Sequence, residues 1–287
     1  MRIFDPHIHM TSRTTDDYER MAAAGVRALV EPAFWLGQPR TGAGSFADYF
    51  DSLVGWEPFR ASQFGIKHYA TIALNPKEAN DPRCREVLDL VPRYLDKDNV
   101  VAVGEIGYDS TTPAEDEVFA AQLALAVAYD LPALVHTPHR DKARGTARSI
   151  AVVVESGIDP GRVVIDHLNE VTVEQVRDSG CWAGFSIYPD TKMSPPRMVE
   201  ILRKYGTERM LVNSAADWGR SDPLLTRTTG EAMLEAGFSD DDVDRVLWRN
   251  PIEFYGQSGR LDPAELEGSA TGAEPTFEGN SILRGGS

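Results

Sequence analysis

Cysteine is nearly absent: Cys84 and Cys181 are the only two in 287 residues. Two such thiols make no disulfide framework, so a reducing, cytoplasmic setting is expected. Long apolar runs are missing as well. None approaches the roughly 20 residues of a membrane-spanning helix. No basic and apolar leader precedes the first predicted strand, so no signal peptide is expected. Positive charge is scarce, with 29 Lys and Arg against 44 Asp and Glu and a formal net charge of −15. Tracking a phosphate backbone takes clustered Lys and Arg, so the composition argues against a nucleic-acid partner.

What is present is a globular composition with enough apolar residues to bury a core. Short apolar runs alternate with longer amphipathic ones. The runs predict strands near Arg2–Pro6, Val26–Glu31, His68–Leu74, Val100–Gly104, Ala133–His136, Val163–Ile165, Cys181–Ile187 and Met210–Asn213. Helical spacing between them is clearest over Ala114–Asp130. Strict alternation repeated about eight times predicts an α/β fold, a (β/α)8 TIM barrel occupying residues 1–265. Residues 266–287 are rich in Gly, Ser, Ala and Thr and read as a flexible C-terminal tail.

Six histidines remain to be placed: His7, His9, His68, His136, His139 and His167. In "FDPHIHM", residues 4–10, alternation along a strand puts Asp5, His7 and His9 on one face. His136 and His167 each end a further apolar strand. Strand C-termini of a barrel converge where its active site sits, so these four imidazoles should meet. Glu105 follows "VVAVG", and a carboxylate at the end of an apolar strand needs a partner such as a metal. Asp217, past the last strand, either joins them or caps the turn before Gly219. His68 begins its strand and should lie at the structural end.

These residues resemble a known family. "FDPHIH", "GEIGYD", the helix-and-strand stretch "FAAQLALAVAYDLPALVH", "IDH" and a late Asp217 are similar to the TatD-related metal-dependent hydrolases of the amidohydrolase superfamily. The likeness runs from Phe4 to about Tyr255. It implies that His7, His9, Glu105, His136, His167 and Asp217 bind one or two divalent metals, with Glu105 bridging. "RNPIEFYG" is similar to the family's closing helix. Two segments depart from the pattern. Where the family carries a "G-x-H-P" segment this chain reads "IALNP", and where it carries "E-T-D" this chain reads "NSAAD". Both departures point to a divergent subgroup rather than to a deoxyribonuclease.

The chemistry follows from the parts. Imidazole and carboxylate ligands suit Zn, Mn, Fe, Co or Ni without ranking them; one or two zinc ions are the expected cofactor, with Mn, Fe, Co, Ni or Mg as alternatives. Bound water would ionise with a pKa of about 7 and supply hydroxide. Asp217 would take a proton and pass it to the leaving group. Asp5 would either orient an imidazole or cap the strand end. The rim segment "HRDKAR" offers His139, Arg140 and Lys142 to an anion, with Arg40 and Trp35 on the opposite wall. The expected activity is hydrolysis of a small anionic ester, phosphoester or amide by a metal-activated hydroxide. The alternatives are a TatD-like deoxyribonuclease, a lactonase or amidohydrolase, and a metal-dependent sugar isomerase.

Overall fold

The computed structural model describes residues 1–268. Eight parallel strands make one sheet: β1 (Ile3–Asp5), β2 (Val26–Pro32), β3 (Lys67–Ile72), β4 (Val100–Gly107), β5 (Ala133–His136), β6 (Val163–Ile165), β7 (Trp182–Ser186) and β8 (Met210–Asn213). Every strand pairs with its neighbour in the chain, and helices cover every crossover. The strands read as unbroken apolar runs because both of their faces are covered: β4 is buried at all eight positions.

The sheet curls into a nearly closed TIM barrel. Among the described residues β1 and β8 share no strand ladder. Their ends are joined by irregular bonds instead. The His9 N–H donates to the Ala216 carbonyl (2.9 Å), and the Ala215 N–H donates to the His7 carbonyl (2.8 Å). The Asp5 carboxylate accepts the N–H groups of His7 (3.1 Å) and Ser214 (3.2 Å). Asp5 thus ends β1 early by diverting the His7 N–H, and both histidines lie in the turn beyond the strand.

One end of the lumen is plugged. Phe4 stacks on Tyr69 (6.1 Å between centroids) and on Tyr255 (6.2 Å). The Tyr255 hydroxyl donates to the Pro6 carbonyl (2.8 Å). The helix Asn250–Gly256 brings that tyrosine in, and Asn250 pins the helix by donating to the carbonyls of Thr207 (2.7 Å) and Met210 (2.8 Å). A solid aromatic floor leaves the opposite, C-terminal strand ends as the place for a site.

Two boundaries differ from expectation. β4 runs on through Glu105 to Gly107, because β5 continues to pair with it, Ile106 against Val135 and Gly107 against His136. At the C-terminus the helix Pro263–Gly268 carries Leu266, the first residue assigned to the tail, into the barrel-floor cluster. The remainder of that segment, 269–287, lies outside the described residues. His68 sits near the start of β3 as expected, buried against Glu31 (Nε2 to Oε2, 2.8 Å). Among the described residues no helix is long and apolar enough to cross a membrane.

Candidate metal centre

Glu105 stands at the centre of the C-terminal strand ends. Its Oε1 lies 3.0 Å from His136 Nδ1, 3.0 Å from His167 Nε2 and 3.6 Å from His7 Nε2. His9 completes the group, its Nε2 3.1 Å from that of His7. All five side chains are buried. The second carboxylate oxygen, Oε2, accepts a hydrogen bond from Asn75 Nδ2 (3.0 Å). Three strand ends, those of β1, β5 and β6, therefore supply four imidazoles around one carboxylate from β4.

The environment forces these groups into unlike charge states. Burial works against the Glu105 carboxylate, but His136, His7 and two imidazole hydrogen bonds hold its pKa well below the usual range. Burial, with His7 beside it, pushes His9 far down, so that ring is neutral. Burial and the Lys192 ammonium do the same to His167. A neutral imidazole is the form that binds a metal.

The hydrogen bonds also set tautomers. His7 Nδ1 lies 2.6 Å from Asp166 Oδ2, which leaves Nε2 to face Glu105 and His9. Burial opposes the Asp166 charge, but His167 and the bond to His7 hold its pKa well below the usual carboxylate range. Asn213 Nδ2 donates to both Asp166 oxygens (3.1 and 3.0 Å), and the His167 N–H donates to Oδ1 (2.6 Å). His167 meets Ser186 Oγ through Nδ1 (2.6 Å) and turns Nε2 toward Glu105. Lys142 Nζ donates to the His167 carbonyl (2.7 Å) and fixes that turn.

This donor set fits a metal. Groups of His7, His9 and Glu105, of His7, Asp166 and His167, and of Glu105, His136 and His167 each place three donor atoms within 4.8 Å of one another. Buried His136 Nε2 has no hydrogen-bond partner among the described residues, which is costly without a further ligand. Nitrogen and carboxylate donors suit a divalent transition ion. Their type does not rank the ions.

The other expected residues are distributed unevenly. His139 and Trp35 line a cavity of about 180 Å³ that opens over Glu105, His136 and His167. Asp217 lines it too, but outside the three donor groups. Its Oδ1 accepts from the Gly219 N–H (2.7 Å) and the Tyr188 hydroxyl (3.3 Å), the turn-capping arrangement. Asp5 meets backbone N–H groups rather than an imidazole. Arg40 is buried away from the cavity lining, paired with Glu78 (2.7 Å) and stacked on Phe46 and Tyr49. Arg140 is exposed, and Lys142 is occupied under the His167 turn.

Sequence reasoning missed Asp166, Asn75 and Lys192. Asp166 directly precedes a histidine, and strand alternation would send the two apart. His167 instead adopts a φ of +62°, which breaks the alternation and lets both reach the site. Asn75 did leave a signal: it lies in "IALNP", one of the two departures from the family pattern, and there it donates to Glu105. Lys192 lies in the connection after β7 and left none.

Comparison with known proteins agrees with this arrangement. An uncharacterized metal-dependent hydrolase of Methanocaldococcus jannaschii is 26% identical over 257 residues, covering 88% of this chain and 99% of that protein. The crystal structure of a TatD-like protein from Archaeoglobus fulgidus superposes with a TM-score of 0.73 at 26% identity, over 88% of this chain and 99% of that one. A phosphotriesterase homology protein of Escherichia coli is 27% identical over 196 residues, covering 60% of this chain and 65% of that protein. The family described as TatD related DNase matches residues 4–256. With that match spanning nearly all of the barrel, the chain belongs to the TatD-related DNase family and is a metal-dependent hydrolase.

Proposed function

We propose that this hydrolase acts on a small anionic ester, phosphoester or amide, with one or two divalent ions, zinc foremost, held by His7, His9, Glu105, His136 and His167. The observation that carries the reading is the single Glu105 oxygen within 3.6 Å of three imidazoles, beneath a cavity of only about 180 Å³. A divalent ion at such a site makes water acidic and polarises a P=O or C=O bond. The protein's own part is positional. Asp166 and Ser186 hold the His7 and His167 rings, and Asn75 holds the Glu105 carboxylate. Asp217, on the cavity wall, takes a proton from attacking water and returns it to the leaving group. The aromatic side chains at the mouth limit the entry of bulk water. Cys84 and Cys181 are free and buried, in keeping with a cytoplasmic enzyme.

The family's description favours deoxyribonuclease activity as the second reading. Against it stand the net charge of −15 and the size of the cavity. One experiment separates the two. The zinc- or manganese-loaded protein is assayed on phosphomonoesters, lactones and amides, and on single- and double-stranded DNA, at low and moderate salt. Turnover of a small anion with little DNA cleavage is the expected result. DNA cleavage at moderate salt without turnover of any small compound would replace the first reading by the second. Absence of bound metal under every loading condition would end both.

A further inference from the structure

The cavity has an unequal lining that the hydrolytic reading leaves unused. On one side aromatic rings climb from the floor to the mouth. Phe34 stacks on His9, with centroids 3.8 Å apart and planes 19° apart. Trp218 packs against Phe34 (4.8 Å), and Trp35 meets Trp218 nearly edge-on (5.8 Å, 67°). Phe34 and Trp35 come from the connection after β2, and Trp218 from the connection after β8. Rings that merely sealed His9 would be covered themselves, yet Trp218 is 48% exposed and lines the cavity.

On the other side stands Lys192. Its Nζ lies 3.1 Å from His167 Nδ1, an atom that is also 2.6 Å from Ser186 Oγ. One ring nitrogen cannot accept a proton from lysine and donate its own to serine. When His167 offers the Nε2 lone pair toward the metal centre, Nδ1 carries the hydrogen and Ser186 accepts it. Lys192 then has no acceptor on the ring. Among the described residues it forms no ion pair with a carboxylate. The other lining lysine, Lys77, is tied to Asp109 (2.7 Å) and lies over the Trp35 ring. Lys192 also lies over the Tyr188 ring (5.9 Å to its centroid), but with no carboxylate paired to it, it is the lining ammonium left to an anionic ligand.

We infer that Lys192 and the Phe34–Trp218–Trp35 wall select the substrate: a small molecule with a flat unsaturated ring attached to an anionic scissile group. Lys192 donates to the anionic oxygen, and the ring stacks on the open face of Trp218. The inference rests on the metal-dependent reading of the same site, because it needs His167 to present Nε2. It adds the chemistry of the group next to the scissile bond. Flat rings stack on tryptophan more favourably than puckered rings of the same volume.

Calorimetric titration of the zinc-loaded full chain with two non-hydrolysable anions tests it. Benzylphosphonate and cyclohexylmethylphosphonate share charge and carbon number and differ in flatness. Benzylphosphonate should bind about five- to tenfold more tightly. Trp218→Ala should abolish that preference, and Trp218→Phe should keep part of it. Lys192→Met should weaken both phosphonates alike, by about 10- to 100-fold, with zinc content unchanged, and Lys192→Arg should restore most of the loss. Equal affinity for the two phosphonates, or unaltered binding by Lys192→Met, would overturn the inference. Loss of zinc from Lys192→Met would overturn it too, by making the lysine a structural part of the centre. A short oligothymidylate that binds more tightly than benzylphosphonate would show that the wall takes the base of a strand end, and would overturn the small-molecule assignment. Failure of the hydrolytic reading looks different: the wild-type protein would then retain no zinc, or would turn over no small substrate while holding zinc.

Discussion

Replacing Asp166 by asparagine should disable the centre without touching the cavity. Asp166 accepts four hydrogen bonds: from His7 Nδ1 (2.6 Å), from the His167 N–H (2.6 Å) and two from Asn213 Nδ2 (3.1 and 3.0 Å). Every one of those neighbours is a donor. An amide has one oxygen to offer and must turn its NH2 toward a donor. If the NH2 faces His7, the ring moves its hydrogen to Nε2 and loses the lone pair that faces Glu105 and His9. If it faces the His167 N–H, that buried donor is orphaned, at about 1–3 kcal/mol. The carboxylate charge is lost in either orientation. Groups that hold a metal-binding imidazole typically contribute about 10- to 100-fold to metal affinity. Asp166→Asn should therefore bind zinc about 10- to 100-fold more weakly in competition with a chelator, with circular dichroism unchanged. Zinc affinity within about twofold of the wild type would refute the argument that His7 is held through Asp166.

Other consequences can be checked separately. Glu105→Gln should lose most of its metal by elemental analysis, since a neutral amide cannot serve three imidazoles as the carboxylate does. His68→Ala should keep its metal and lose about 1–3 kcal/mol in urea unfolding, because it strips a partner from buried Glu31; equal metal loss in the two variants would contradict the placement of both residues. Arg40→Ala should cost about 3–5 kcal/mol of stability by leaving buried Glu78 uncompensated, with KM unchanged; a raised KM at wild-type stability would make Arg40 a substrate contact after all. Burial pushes the Cys84 thiol up to about 11, so at pH 8 it remains protonated in the fold. Iodoacetamide should label it slowly in buffer and quickly in urea, and fast labelling of the native protein would contradict its burial.

The amino-acid order by itself determined the eight apolar runs, their alternation with helices and hence the barrel, because both signals are local periodicities. It also marked His7, His9, Glu105, His136 and His167, because a polar residue ending an apolar run is conspicuous wherever strands converge. The segment that carries Asn75 stood out as a departure from the family's pattern, although the role of Asn75 within it did not. Arg40 and Asp166 could not be assigned that way. Arg40 has the look of an anion-binding residue until Glu78, from a different connection, is seen to neutralise it. Strand alternation would turn Asp166 away from the site, and the left-handed turn at His167 reverses that. The aromatic wall joins residues from the connections after β2 and β8, some 180 positions apart in the chain. Tertiary structure alone decided these points, because a side chain's charge, tautomer and exposure depend on what the fold places beside it, and those neighbours are distant in sequence.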